Sequence, residues 1–110
     1  MTPFDNLPKI EVFKGYSARF IHTQNSTLGL WNADKGAVLP PHSHVHEQLT
    51  QVIEGEFELT IEGQTKVYRA GDLAIIPSNA VHTGVGLTDC LLYDVFTPVR
   101  EDYKKLSENN

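Results

Sequence analysis

The sequence predicts an all-β domain, a barrel or sandwich of many short strands followed by one brief C-terminal helix. Alternating segments run nearly from end to end: IEVFK, ARFIHT and LGLWNA, then AVLPPHSHVH, QLTQVIEG, EFELTIEG, TKVYRAG, DLAIIPS, AVHTGV and CLLYDVFTP. In EFELTIE, Phe57, Leu59 and Ile61 fall on one face and Glu56, Glu58, Thr60 and Glu62 on the other. That is the period of two of a half-buried strand. Gly55, Gly63 and the Gly71-Asp72 pair punctuate the segments as turns. Short strands at such regular spacing build sandwiches and barrels. Only REDYKKLSENN reads as helical.

Composition narrows the functional classes. The 110 residues fit one domain, expected over 1–110, and 40% hydrophobic with 21% charged residues is a globular composition. Nine basic against fourteen acidic residues give a formal charge of −5 with no basic block. Nucleic-acid affinity rests on clustered Lys and Arg, so no nucleic-acid partner is expected. No apolar run approaches the roughly 20 residues of a spanning helix, so no membrane partner is expected either. MTPFDNLPKIEVF lacks the basic start and apolar stretch of a signal peptide, and a cytoplasmic protein is expected. A single cysteine, Cys90, excludes an internal disulfide framework and a thiolate zinc cluster. Within the apolar run CLLYDVF it reads as a buried structural thiol.

The chemistry centres on histidine. His42 and His44 stand two residues apart, a spacing that on a strand turns both rings to one side. Gln48 shares their parity if the strand continues, and His82 arrives from a later strand across the barrel. Borderline divalent metals accept imidazole well, with an oxygen donor completing the set, so Zn, Ni, Mn or Fe suits this group. His46 continues the same parity and stands as an alternative ligand or as a donor behind one.

Gly36-AVLPP-His42-Ser43-His44-VHE-Gln48-LTQVIE-Gly55 resembles the first cupin motif, and Gly71-DLAII-Pro77-Ser78-Asn79-AV-His82-TGV-Gly86 resembles the second. The resemblance implies a double-stranded β-helix, or jelly-roll, barrel with a metal-binding core over about 28–100. It implies His42, His44, Gln48 and His82 as ligands of one divalent transition metal. Three positions depart from the pattern: Gln48 for Glu, Asn79 for the second Gly, and Gly86 for the final Asn. Asn tolerates positive φ, so the turn at Asn79 can survive, and Gly86 is expected to cost only a turn-stabilising side chain. Three neutral imidazoles and an amide would leave a dication its full charge, a stronger Lewis acid and a better trap for anions. Such a site is a poorer match for redox dioxygen chemistry as usually drawn with a carboxylate ligand, and leans towards acids and carboxylates, or else Gln48 is not a ligand.

A narrower resemblance covers Leu28 to Tyr103. HVHEQLTQVIEGEFELTIEGQ, AGDLAIIPSNAVH and YDVFTPVREDY are similar to the KdgF pectin-degradation family. That resemblance implies ring opening of unsaturated uronates from pectin or alginate, a small acidic substrate, and substrate or catalytic roles for Asp94, Phe96 and Arg100. Asp94 is an acidic residue in an apolar strand, costly to bury unless paired or used. Its plain structural role would be a salt bridge to Arg100. Other classes remain open: an oxygenase on another substrate, or a non-enzymatic small-molecule-binding cupin. Cupins of this size commonly dimerise, and the IEVFK strand is a candidate for pairing with a neighbour.

Overall fold

The computed structural model describes residues 2–108. The strands are β1 (Ile10–Phe13), β2 (Tyr16–His22), β3 (Thr27–Ala33), β4 (Val38–His42), β5 (Glu47–Glu54), β6 (Glu56–Ile61), β7 (Gln64–Arg69), β8 (Leu73–Ile76), β9 (His82–Gly86) and β10 (Cys90–Thr97), followed by helix α1 (Glu101–Glu108). They form a six-stranded sheet, β1-β2-β3-β10-β5-β8, and a four-stranded sheet, β4-β9-β6-β7. Every strand pairing is antiparallel. The architecture is the jelly roll, two sheets whose apolar faces meet in one core.

The expected alternation is realised. β3 buries Thr27, Gly29, Trp31 and Ala33, and β10 buries Cys90, Leu92, Asp94 and Phe96. Phe57 and Leu59 of β6 face inward from the smaller sheet. Ile76, Val52 and Phe96 are essentially inaccessible, and each such side chain contributes about 1.5–3 kcal/mol by leaving water. β1 lies at an outer edge and pairs only with β2 of its own chain.

Two departures from the motif have structural answers. Asn79 adopts φ 65°, the left-handed conformation expected there. Its backbone N–H donates to the His44 carbonyl at 2.8 Å, while Ser78 Oγ donates to the Val45 carbonyl at 2.6 Å. The turn of the second motif therefore holds the histidine loop of the first. Gly86 corrects the expectation: a Cβ there would lie 2.5 Å from the Thr88 carbonyl oxygen. Close backbone approach, rather than a lost side chain, accounts for glycine at this position.

Candidate metal centre and substrate cavity

Among the described residues, six polar or charged ones are buried: Thr27, Gln48, Thr50, His82, Asp94 and Arg100. All but Thr27 line one cavity, with His42, Trp31, Phe96 and Tyr103 also in its wall. The cavity opens to solvent, and the space within it that the centre of a water molecule can reach is about 40 Å³. Buried polar side chains are costly, so their concentration here marks the functional centre of the fold.

His42, His44 and His82 converge, with one nitrogen of each lying within 4.8 Å of the others. His42 ends β4, where it is the register partner of His82 on β9. His44 does not share a strand with His42. β4 stops at His42, and residues 43–46 bend across to β5 in the opposite sheet. The parity reading is thus corrected: side-chain alternation holds only within one strand, and the crossover itself delivers His44. Gln48 comes from β5, so the four residues draw on both sheets and the loop between them.

Backbone carbonyls set the rings. His42 Nδ1–H donates to Pro40 O at 2.8 Å, His82 Nδ1–H to Ala80 O at 2.9 Å, and His44 Nδ1–H to His46 O at 3.0 Å. A carbonyl only accepts, so each Nδ1 carries a proton, and a ring so oriented turns its Nε2 away from that carbonyl as the candidate ligand atom. Burial holds the His82 ring below the usual imidazole range and, aided by the Arg100 charge, brings His44 down to about 4. His82 Nε2 is buried without a hydrogen-bond partner. His46 is outside the convergent set; its carbonyl orients His44, and its ring packs edge-on against the His44 ring at 5.4 Å between centres.

Gln48 completes a donor set suited to a cation. Its amide N–H donates to Thr50 Oγ1 at 2.9 Å and, in a longer 3.4 Å contact, to Asp94 Oδ2. The amide oxygen therefore faces His44 Nε2 at 3.1 Å. Two lone pairs facing each other repel, whereas a cation accepting both would bind them. The orphaned His82 nitrogen and this opposition fit a divalent metal with nitrogen and oxygen preferences.

Beside this group, burial pushes the Asp94 carboxyl up to about 7 against the opposing pull of Thr50, Arg100 and Gln48. Asp94 and Arg100 do not form the anticipated salt bridge. Arg100 pairs with Asp102 of α1, Nε to Oδ1 at 3.0 Å and Nη2 to Oδ2 at 2.8 Å. Two residues along the same turn, Asp102 reaches the fork directly, while Asp94 points inward from β10 toward Gln48. The Arg100 guanidinium lies 3.9 Å from the Tyr103 ring centre and 4.8 Å from that of Phe96. Its backbone N–H donates to Thr27 Oγ1 at 2.9 Å. Sequence reasoning missed Asp102, Tyr103, Thr50 and Trp31 as neighbours of the site. The Arg-Glu-Asp-Tyr run at the start of the helix was the available signal for the first two.

A cupin domain family model matches residues 29–96, a span that includes all three histidines. The chain belongs to the cupin family. This cupin is 38% identical over 71 residues to the pectin degradation protein KdgF of Dickeya dadantii, an alignment covering 63% of the chain and 64% of that relative's length. The structure of KdgF from a Halomonas species superposes with a TM-score of 0.85 at 31% identity, covering 94% of this chain and 98% of that one. An RmlC-like cupin from Shewanella frigidimarina gives a TM-score of 0.87 at 30% identity, with 94% of each chain covered. No helix among the described residues is long and apolar enough to cross a membrane.

Proposed function

We propose that this cupin is a metal-dependent enzyme that opens the ring of small 4,5-unsaturated uronates and converts the resulting enol to a ketone. The observation that carries the reading is the convergence of three imidazole nitrogens, those of His42, His44 and His82, at a cavity whose wall holds His42 and His82 together with buried Asp94 and Arg100. Similarity to proteins named KdgF, one of them described as acting in pectin degradation, points to the substrate class.

His42, His44, His82 and Gln48 are the proposed ligands of one divalent ion. Such an ion supplies Lewis acidity toward a sugar oxygen. Opening the ring and ketonising the enol moves one proton from an oxygen to a carbon, with no change in composition and no redox partner. Asp94, with its carboxyl near neutrality, suits that shuttle because it can both accept and release a proton at working pH. Arg100 receives the uronate carboxylate. Asp102 occupies the Nε and Nη2 edge of the fork, which leaves Nη1 for the substrate. Phe96 and Tyr103 line the cavity and pack against the Arg100 guanidinium, which holds that fork in place for the carboxylate.

The test begins with elemental analysis of the purified protein. Metal-loaded protein is then incubated with unsaturated galacturonate and guluronate while the ultraviolet absorbance of the enol is followed. Loss faster than the spontaneous rate supports the reading. The spontaneous rate alone, from protein with stoichiometric metal, refutes it. Bound iron with oxygen uptake would support an oxygenase instead.

A further inference from the structure

We propose that Trp31 is a substrate-binding residue whose indole N–H, together with Asp94 Oδ1, grips one hydroxyl group of the sugar. The inference rests on the functional reading above and extends it to a specific polar contact. Four buried side-chain polar atoms lack a hydrogen-bond partner among the described residues. Three of them, Trp31 Nε1, His82 Nε2 and Asp94 Oδ1, belong to residues that line the one cavity. Buried indole N–H groups ordinarily find an acceptor. An orphan donor and an orphan acceptor in the same wall are what a hydroxyl satisfies, since it accepts from one and donates to the other.

The strand register brings these atoms to one level. Trp31 faces inward on β3, and the indole folds back over Gly29, with Nε1 2.8 Å from where a Gly29 Cβ would be. Gly29 is the register partner of Asp94 on β10 and of Phe20 on β2. A bare backbone at position 29 therefore lets the polar edge of the indole lie in the row that carries Asp94. Rings of Phe20 and Tyr103 stand edge-on to the indole at 5.6 and 5.8 Å between centres, fixing it from the other sides. A side chain at position 29 would displace that edge while leaving the N–H intact. Two independent perturbations of one contact follow from this: remove the N–H, or move it.

The experiment uses metal-loaded full-length protein and three probes: unsaturated galacturonate and its analogues lacking the C2 or the C3 hydroxyl. Position 31 is replaced with 3-benzothienylalanine, which keeps the bicyclic shape without the N–H, and separately Gly29→Ala is made. Expected for the parent is a loss of about tenfold or more in kcat/KM with one of the two deoxy analogues. Both variants are expected to lose about tenfold with the full substrate and nothing further with that same analogue, the non-additivity of a shared contact. Metal content stays at the parent's level. Full activity of the benzothienyl protein overturns the inference and shows an N–H engaged only with aromatic faces or water. Losses that simply multiply overturn it too. Parent protein that fails to turn over the uronate brings down the functional reading and this inference with it, whereas a turning-over parent with indifferent variants removes the inference alone.

Discussion

Replacing Asp94 with asparagine is expected to stabilise the metal-stripped protein above neutral pH. Asp94 is 7% exposed, and burial raises its carboxyl from 3.8 to about 7. The unfolded chain releases this proton near the lower value and the folded chain near the higher one. Between them the folded state holds the extra proton, so stability falls as pH rises, and above about pH 7 the full cost stands. A shift of about 3 units, at about 1.4 kcal/mol each, amounts to about 4 kcal/mol. Asparagine keeps the shape, stays neutral at every pH, and its carbonyl can still accept from Gln48. Urea unfolding in the presence of chelator, from about pH 4 to about pH 8, reads the difference directly. With a slope of about 2 kcal/mol per molar, the midpoints coincide near pH 4 and separate by about 2 M near pH 8. His44, held down to about 4, weakens the fold as pH drops below 6.5, but it does so in both proteins and cancels in the comparison. A pH-independent difference, or a variant less stable than the parent near pH 8, refutes the reasoning.

Adding zinc or nickel at about 100 times its dissociation constant should stabilise the protein by about 2.7 kcal/mol, a rise of about 10 °C in melting temperature for a chain of this size. His82→Ala should abolish that rise in differential scanning fluorimetry, and an undiminished shift would remove His82 from the ligand set. Gly86→Asn restores the residue of the cupin motif yet should destabilise by about 1–3 kcal/mol in urea, because its Cβ meets the Thr88 carbonyl. An unchanged midpoint would show that the strand yields. Asp102→Asn loosens the Arg100 fork. Its KM for unsaturated uronate should rise several-fold with kcat within about twofold, whereas a fall in kcat alone would show that the pair has no part in holding the carboxylate.

The strands were legible because each carries its own alternation, and one buried face per sheet repeats that signal along the chain. The convergence of His42, His44 and His82 was legible from the double motif, since residues far apart in sequence can be related only by a known pattern. Parity failed between His42 and Gln48 because residues 43–46, beyond the end of β4, carry the chain out of one sheet and into the other. Alternation has no meaning across such a crossing. Arg100 was read toward Asp94 because both are charged residues near one strand end, but local chain geometry favours the partner two residues away. Trp31 was invisible as a polar residue. An indole in an apolar strand looks like core, and only coordinates reveal a donor with nothing to bond.

His42 and His82 belong to the smaller sheet, Gln48 to the larger, and His44 to the segment joining them. An ion held by all four would act as a rivet through the two layers, tying cohesion of the sandwich to occupancy of its centre. Stripping the metal would then loosen the molecule as well as silence it. A ligand-substituted protein compared at matched stability is therefore a cleaner control for chemistry than a chelated one.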